Sequence, residues 1–203
     1  GPAAKLNQTE VTQPALLAAG VAANRGWLAE DGPQPAVMAG HSLGEYTALV
    51  AAGAIGFADA VAIVAERGRL MQAALPAGEG AMAAILGVDD ATIREVCEQA
   101  AGDEVCEPVN FNSPGQVVIA GNAAAVERAG EAAKEAGAKR VVPLPVSVPS
   151  HCALMREAAD KLGEALAEIE ISAPNIPVLH NVDGQARQEP AAIREALVAQ
   201  LYS

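Results

Sequence analysis

Residues 36–53 read AVMAGHSLGEYTALVAAG, and within them Ser42 has a glycine two positions to either side, Gly40 and Gly44. A serine hydroxyl becomes a nucleophile when it is exposed and a base stands beside it. A G-x-S-x-G pentapeptide between a short apolar strand and a helix meets the first condition. This is the nucleophile-elbow pattern, and glycines at 40 and 44 are expected to remove Cβ atoms that would collide in so sharp a turn. The helix beginning beside the serine brings free backbone N–H groups and the positive end of its dipole, so the amide of Leu43 can donate to the oxyanion of a tetrahedral intermediate. G-x-S-x-G alone is a weak signal, because glycine-serine turns are common. Its position after AVMA and before an amphipathic pattern gives it weight.

Three histidines are available as a base. His41 neighbours the serine and, by strand alternation, should project away from it. His180 ends the apolar run IPVLH and reads first as structural. His151 lies in VSVPSHCAL, a loop stiffened by Pro149, and is the candidate base. Arg67 sits at the edge of an apolar stripe formed by Val61, Val64, Gly68, Met71 and Leu75, where it reads as a solvated helix arginine. Cys97, Cys106 and Cys152 are odd in number and lack metal-ligand spacing, which fits reduced thiols in a cytoplasmic protein.

The elements that must position these residues follow from periodicity. TQPALLAAGVAANRGWLAEDG is expected to be a helix entered at Pro14, AVMAG a short buried parallel strand, and FADAVAIVAERGRLMQAAL a second helix. Between about Ala81 and Pro145 the order is strand, helix, strand, strand, helix, strand, as in a ferredoxin-like unit. HCALMREAADKLGEALAEIEI then reads as a helix, IPVLHNVDG as a strand and EPAAIREALVAQLYS as a last helix. The fold expected is α/β: a parallel-sheet core over 1–78 and 148–203, with a ferredoxin-like βαββαβ subdomain inserted over 79–147. Two clear core strands are fewer than an open parallel sheet normally has, so further strands are expected beyond one or both ends.

The 203 residues are 51% apolar and 2% aromatic, so the chain is not disordered and its core must be filled by Ala, Val, Leu and Ile. A net charge of −12 and a pI near 4.6 argue against non-specific binding to nucleic acid or an anionic membrane. No uninterrupted apolar run is long enough for a membrane span.

Taken together, GHSLGEYTALVAAG, RGRLMQ, GAMAAILG, VNFNSPGQVVIAG and VSVPSH, in this order and spacing, resemble the malonyl-CoA:acyl carrier protein transacylases of bacterial type II fatty acid synthesis. The resemblance covers essentially the whole chain and implies a hydrolase-like α/β parallel-sheet core carrying the inserted ferredoxin-like subdomain. It implies Ser42 as nucleophile, His151 as base and Arg67 as the bidentate holder of the malonyl carboxylate. It also implies Gln13, in TQPALL, lining the active site, and Asn112 near the cleft between subdomains. The implied reaction is ping-pong: a malonyl-serine ester forms from malonyl-CoA, then passes to the phosphopantetheine thiol of acyl carrier protein, with no metal or bound redox cofactor. The intact enzyme is expected to be monomeric. Leu43 fits malonyl-selecting relatives, and Ser150 replaces the phenylalanine found before the histidine in many of them but is also normal in the bacterial transacylases.

Two parts of the family pattern find no counterpart: an amino-terminal glycine-glutamine motif with the other oxyanion amide, and a carboxyl-terminal segment with a carbonyl that orients the histidine. A chain shortened at both ends, with turnover below a tenth of an intact relative's, is therefore expected. Two other readings stay open. One is an α/β-hydrolase esterase, although no aspartate between Ser42 and His151 stands out at a strand end. The other is a non-catalytic fragment that docks acyl carrier protein, for which Lys139 and Arg140 with Arg128 and Lys134 form a candidate basic patch.

Overall fold

The computed structural model describes residues 2, 6, 8–146 and 148–203; Ser147, inside the VSVPSH motif, lies outside them. The chain forms two compact units, one of residues 1–70 with 158–200, the other of 71–157 with 201–203. No helix among the described residues is long and apolar enough to cross a membrane.

In the first unit, α1 (Thr9–Ala29) packs on α2 (Leu43–Ala51), and α2 lies against the strands β1 (Met38–Ala39) and β6 (Val178–Leu179). These strands pair in parallel, Met38 with Val178 and Ala39 with Leu179. Apolar spacing explains the packing: Gln13, Leu17 and Val21 recur every four residues on the buried face of α1. Pro14 does not open this helix as expected; it lies inside, where its missing N–H releases the carbonyl one turn back. β1 is parallel, as expected, but not buried, since Ala39 is exposed and Val37 is 49% exposed. Among the described residues it has a partner on one edge, β6.

Helix α3 (Phe57–Ala73) carries Arg67 in its buried stripe with Ala60, Ile63, Val64 and Leu70, not at its edge. Gly68 explains how α1 comes so close. A Cβ there would meet the Glu10 Cα at 2.6 Å, so the glycine brings the two helices together beside Gln13 and Arg67.

The second unit holds β2 (Gly80–Leu86), α4 (Asp90–Ala101), β3 (Cys106–Ser113), β4 (Gln116–Asn122), α5 (Ala123–Glu135) and β5 (Arg140–Pro143). The sheet is antiparallel in the order β3-β4-β2-β5, the ferredoxin-like arrangement. Strand alternation sends Ala83, Ile85, Val117 and Ile119 to one face, where Ile93, Val96, Cys97, Val126 and Ala129 of the helices cover them. Met82, Val118 and Ala120 face the other way and pack with Cys152. Helices α6 (Arg156–Ala167) and α7 (Pro190–Tyr202) complete the order of elements.

Candidate active site

Ser42 sits immediately before α2 with φ 50 and ψ −110, a left-handed backbone that a non-glycine residue adopts only when its surroundings impose it. The two flanking glycines play unequal parts. A Cβ on Gly40 would overlap the carbonyl group of Gly44, whereas one on Gly44 would meet nothing within 4 Å. Both were expected to relieve collisions, and Gly40 alone does so. The amides of Gly44 and Glu45 turn back to the carbonyls of His41 and Ser42. The amide of Leu43, first residue of the helix, is not used by the helix itself.

Arg67 meets Ser42 across this turn. The guanidinium, 1% exposed, donates from Nη2 to Ser42 Oγ at 3.1 Å and to Gln200 Oε1 at 2.9 Å, and from Nη1 to Gln13 Oε1 at 2.7 Å. Its carbon lies 5.6 Å from the centroid of the Tyr46 ring. Arg67 Nε has no hydrogen-bond partner, and Arg67 forms no ion pair among the described residues. Burial lowers its pKa from the usual arginine value, with the nearby Tyr46 and Glu45 pulling the other way, and burial pushes the Tyr46 hydroxyl up to about 12. A buried cation surrounded by amide oxygens, a hydroxyl and a ring face is costly unless an anion arrives to share the site.

A second layer of polar groups lies behind the serine. Glu45, fully buried on α2, takes hydrogen bonds from Gln200 Nε2 at 2.9 Å and from the Asn181 amide at 2.8 Å, and its Oε1 lies 2.7 Å from His180 Nδ1. Gln200 Nε2 also donates to the Ser42 carbonyl at 3.0 Å. Asn181 Oδ1 accepts from the Ser42 amide at 2.6 Å and its Nδ2 donates to the Gly40 carbonyl at 2.7 Å. His180 is thus a buried partner of a carboxylate, and His41 is exposed.

Of the residues expected from sequence, Ser42, Leu43, Arg67 and Gln13 come together in the first unit. His151 and Asn112 belong to the second. His151 is 7% exposed, has φ 67 and donates its backbone amide to the Leu201 carbonyl at 3.1 Å. Asn112 is exposed and lies between the paired Phe111 and Ser113, where the β3–β4 register shifts, the kind of irregularity that re-aims a side chain. Two members of the suggested basic patch are already engaged, Arg128 with Glu104 at 2.8 Å and Lys134 with Glu131 at 2.7 Å. Gln200, Asn181 and Glu45 escaped the sequence reading. For Gln200 a signal existed: it continues the buried stripe Ile193, Ala196, Leu197 of α7, and a glutamine at such a position needs polar company.

The acyl transferase domain family model matches residues 1–201. This chain belongs to that family. The acyl transferase chain is 63% identical over 203 residues to a malonyl CoA-acyl carrier protein transacylase of Salmonella typhimurium, covering 100% of itself and 66% of that relative. Among solved structures, it resembles an acyl carrier protein S-malonyltransferase from Vibrio cholerae, with TM-score 0.98 and 62% identity over 100% of this chain and 66% of the other. It also resembles a malonyl-transacylase solved in complex with its type II PKS acyl-carrier protein, with TM-score 0.99 and 58% identity over 100% and 66% of the two chains. This acyl transferase chain thus spans about two thirds of the length of the relatives it matches.

Proposed function

We propose that this chain carries the site of a malonyl-CoA:acyl carrier protein transacylase, an acyltransferase that works through a malonyl ester on Ser42. The observation that supports it most is Arg67, a buried guanidinium whose Nη2 reaches Ser42 Oγ at 3.1 Å and which has no ion-pair partner among the described residues. An acyl group joined to Ser42 Oγ and ending in a carboxylate would supply that partner, and planar two-pronged donors suit a carboxylate. An acetyl group would leave the cation unpaired in a desolvated site.

His151, in its constrained backbone conformation, takes the proton from Ser42 as the hydroxyl oxygen attacks the thioester carbonyl. The amide of Leu43 donates to the oxyanion. The carbon–sulfur bond then breaks and coenzyme A leaves as the thiol, carrying the proton that His151 returns. In the second half the phosphopantetheine thiol of acyl carrier protein attacks the ester, and Ser42 regains its hydrogen. Gln13 and Gln200 hold the guanidinium in place. The heavy-atom bonds exchanged are C–O and C–S bonds at the acyl carbon, the other changes are proton transfers, and no step changes an oxidation state, so the scheme calls for neither a metal nor a redox cofactor. The acyl-carrier-protein complex of a close structural relative supports the partner, and three buried free thiols fit a cytoplasmic setting.

Incubation with malonyl-CoA and, separately, with acetyl-CoA, followed by intact-mass measurement and peptide mapping, tests the reading. A malonyl adduct on Ser42 without an acetyl counterpart is expected. Equal labelling by both donors would favour an esterase-like site indifferent to the carboxylate.

A further inference from the structure

We propose that Asn181 is the positioning residue that sets the Ser42 turn, holding the nucleophile in its reactive backbone conformation; this rests on the reading of Ser42 as an acyl acceptor. The side-chain amide of Asn181 grips the elbow from both sides: Oδ1 accepts from the Ser42 amide at 2.6 Å and Nδ2 donates to the Gly40 carbonyl at 2.7 Å. These two backbone groups flank the tightest point of the turn, where Ser42 has φ 50 and Gly40 admits no Cβ. Left to itself, a serine backbone would relax from this sparsely populated conformation. An asparagine amide opposes that relaxation because it offers donor and acceptor in one rigid plane.

Asn181 is itself anchored. Its backbone amide donates to Glu45 Oε2 at 2.8 Å, and Gln200 Nε2 approaches its Oδ1 at 3.3 Å. Glu45 is buried on the helix that Ser42 begins, so the chain from Glu45 through Asn181 to Ser42 ties the turn to its own helix across 136 to 139 residues of sequence. Asn181 is also exposed, so truncating it empties no part of the core. A positioning role can therefore be separated from a packing role: the variant should lose reactivity while keeping its fold.

The test measures, on the full chain, the rate constant for labelling of Ser42 by saturating malonyl-CoA and by an uncharged fluorophosphonate, each corrected for the folded fraction. Asn181→Ala should slow both reactions about tenfold or more, the loss of two hydrogen bonds to the reacting residue's backbone, with little change in malonyl-CoA affinity. Asn181→Asp keeps an acceptor for the Ser42 amide but no donor for the Gly40 carbonyl, and should fall between wild type and the alanine variant. Should Asn181→Ala fail to fold, Asn181→Asp carries the test, with about threefold slower fluorophosphonate labelling expected. Labelling of the folded variants within the error of wild type, or a wild-type Ser42 inert to fluorophosphonate, would overturn the proposal. Wild type that takes fluorophosphonate but no malonyl group would count against the substrate reading alone, leaving Asn181 to be judged by the fluorophosphonate rates.

Discussion

A buried arginine that donates to a serine hydroxyl is an unusual thing to build into a helix packed on its neighbours. Arg67 donates to Gln13, Ser42 and Gln200, so removing it takes a charged donor away from two buried amide oxygens and a hydroxyl. Arg67→Ala should abolish the malonyl adduct and lower stability by about 1–3 kcal/mol, read from urea unfolding monitored by circular dichroism. Arg67→Lys keeps the charge but not the planar fork, and malonylation at fixed malonyl-CoA should fall at least about tenfold. The glycines of the elbow give a second test at this scale. Gly40→Ala should collapse the turn and abolish labelling of Ser42, while Gly44→Ala, placed in the first turn of α2 with open space around its Cβ, should leave thermal stability unchanged or slightly higher.

At the scale of elements, the turn after β6 carries Asn181 and is closed by its own ion pair. Arg187 donates to both oxygens of Asp183, at 3.0 and 2.7 Å, and the Gln185 amide donates to one of them. The arginine pulls the Asp183 carboxyl down to about 2 from its ordinary 3.8. A depressed folded-state value means that the pair's contribution is complete above about pH 4, where the unfolded carboxyl is ionised, and is lost as pH falls through 2. Thermal midpoints of wild type and Asp183→Asn should therefore differ at pH 6 and converge at pH 2; a constant gap across that range would show that the pair does not hold the turn.

The same scale decides how much could be read in the sequence. The elbow was legible because strand, glycine, serine and helix are consecutive, and the ferredoxin-like unit was legible because each of its elements announces its own period. Arg67 was misplaced because its burial depends on α1, whose approach Gly68 permits, and periodicity within α3 does not report on that neighbour. Gln200 and Asn181 reach Ser42 from 158 and 139 residues away through hydrogen bonds that no local pattern encodes. The expected burial of β1 failed for a related reason: apolar sequence gives a strand's preference, but burial comes from partners on both faces and edges.

At the scale of the whole molecule, the second unit keeps Cys97, Cys106 and Cys152 buried, so thiol reactivity reports on its folding. Burial pushes the Cys152 thiol up to about 12, and its sulfur lies 3.1 Å from the Pro149 carbonyl. Iodoacetamide at pH 8 should leave Cys152 unmodified in the folded chain and alkylate it in urea; modification of the native chain at the unfolded rate would contradict a closed core. Because the unfolded thiol ionises first, this group also makes the fold less stable as pH rises from about 9 towards 12. The net charge of −12 means that an acidic partner would have to be met by local positive charge, and Arg128 and Lys134 are partly neutralised by their own glutamates.

The measurement that bears most directly on the account is the mass of the chain after exposure to malonyl-CoA, beside parallel samples given acetyl-CoA and a sample of Arg67→Ala given malonyl-CoA. A single malonyl adduct mapped to Ser42 in the wild-type chain, absent from the other two, is the predicted result. An acetyl adduct of equal yield, or malonyl labelling that survives the loss of Arg67, would contradict it.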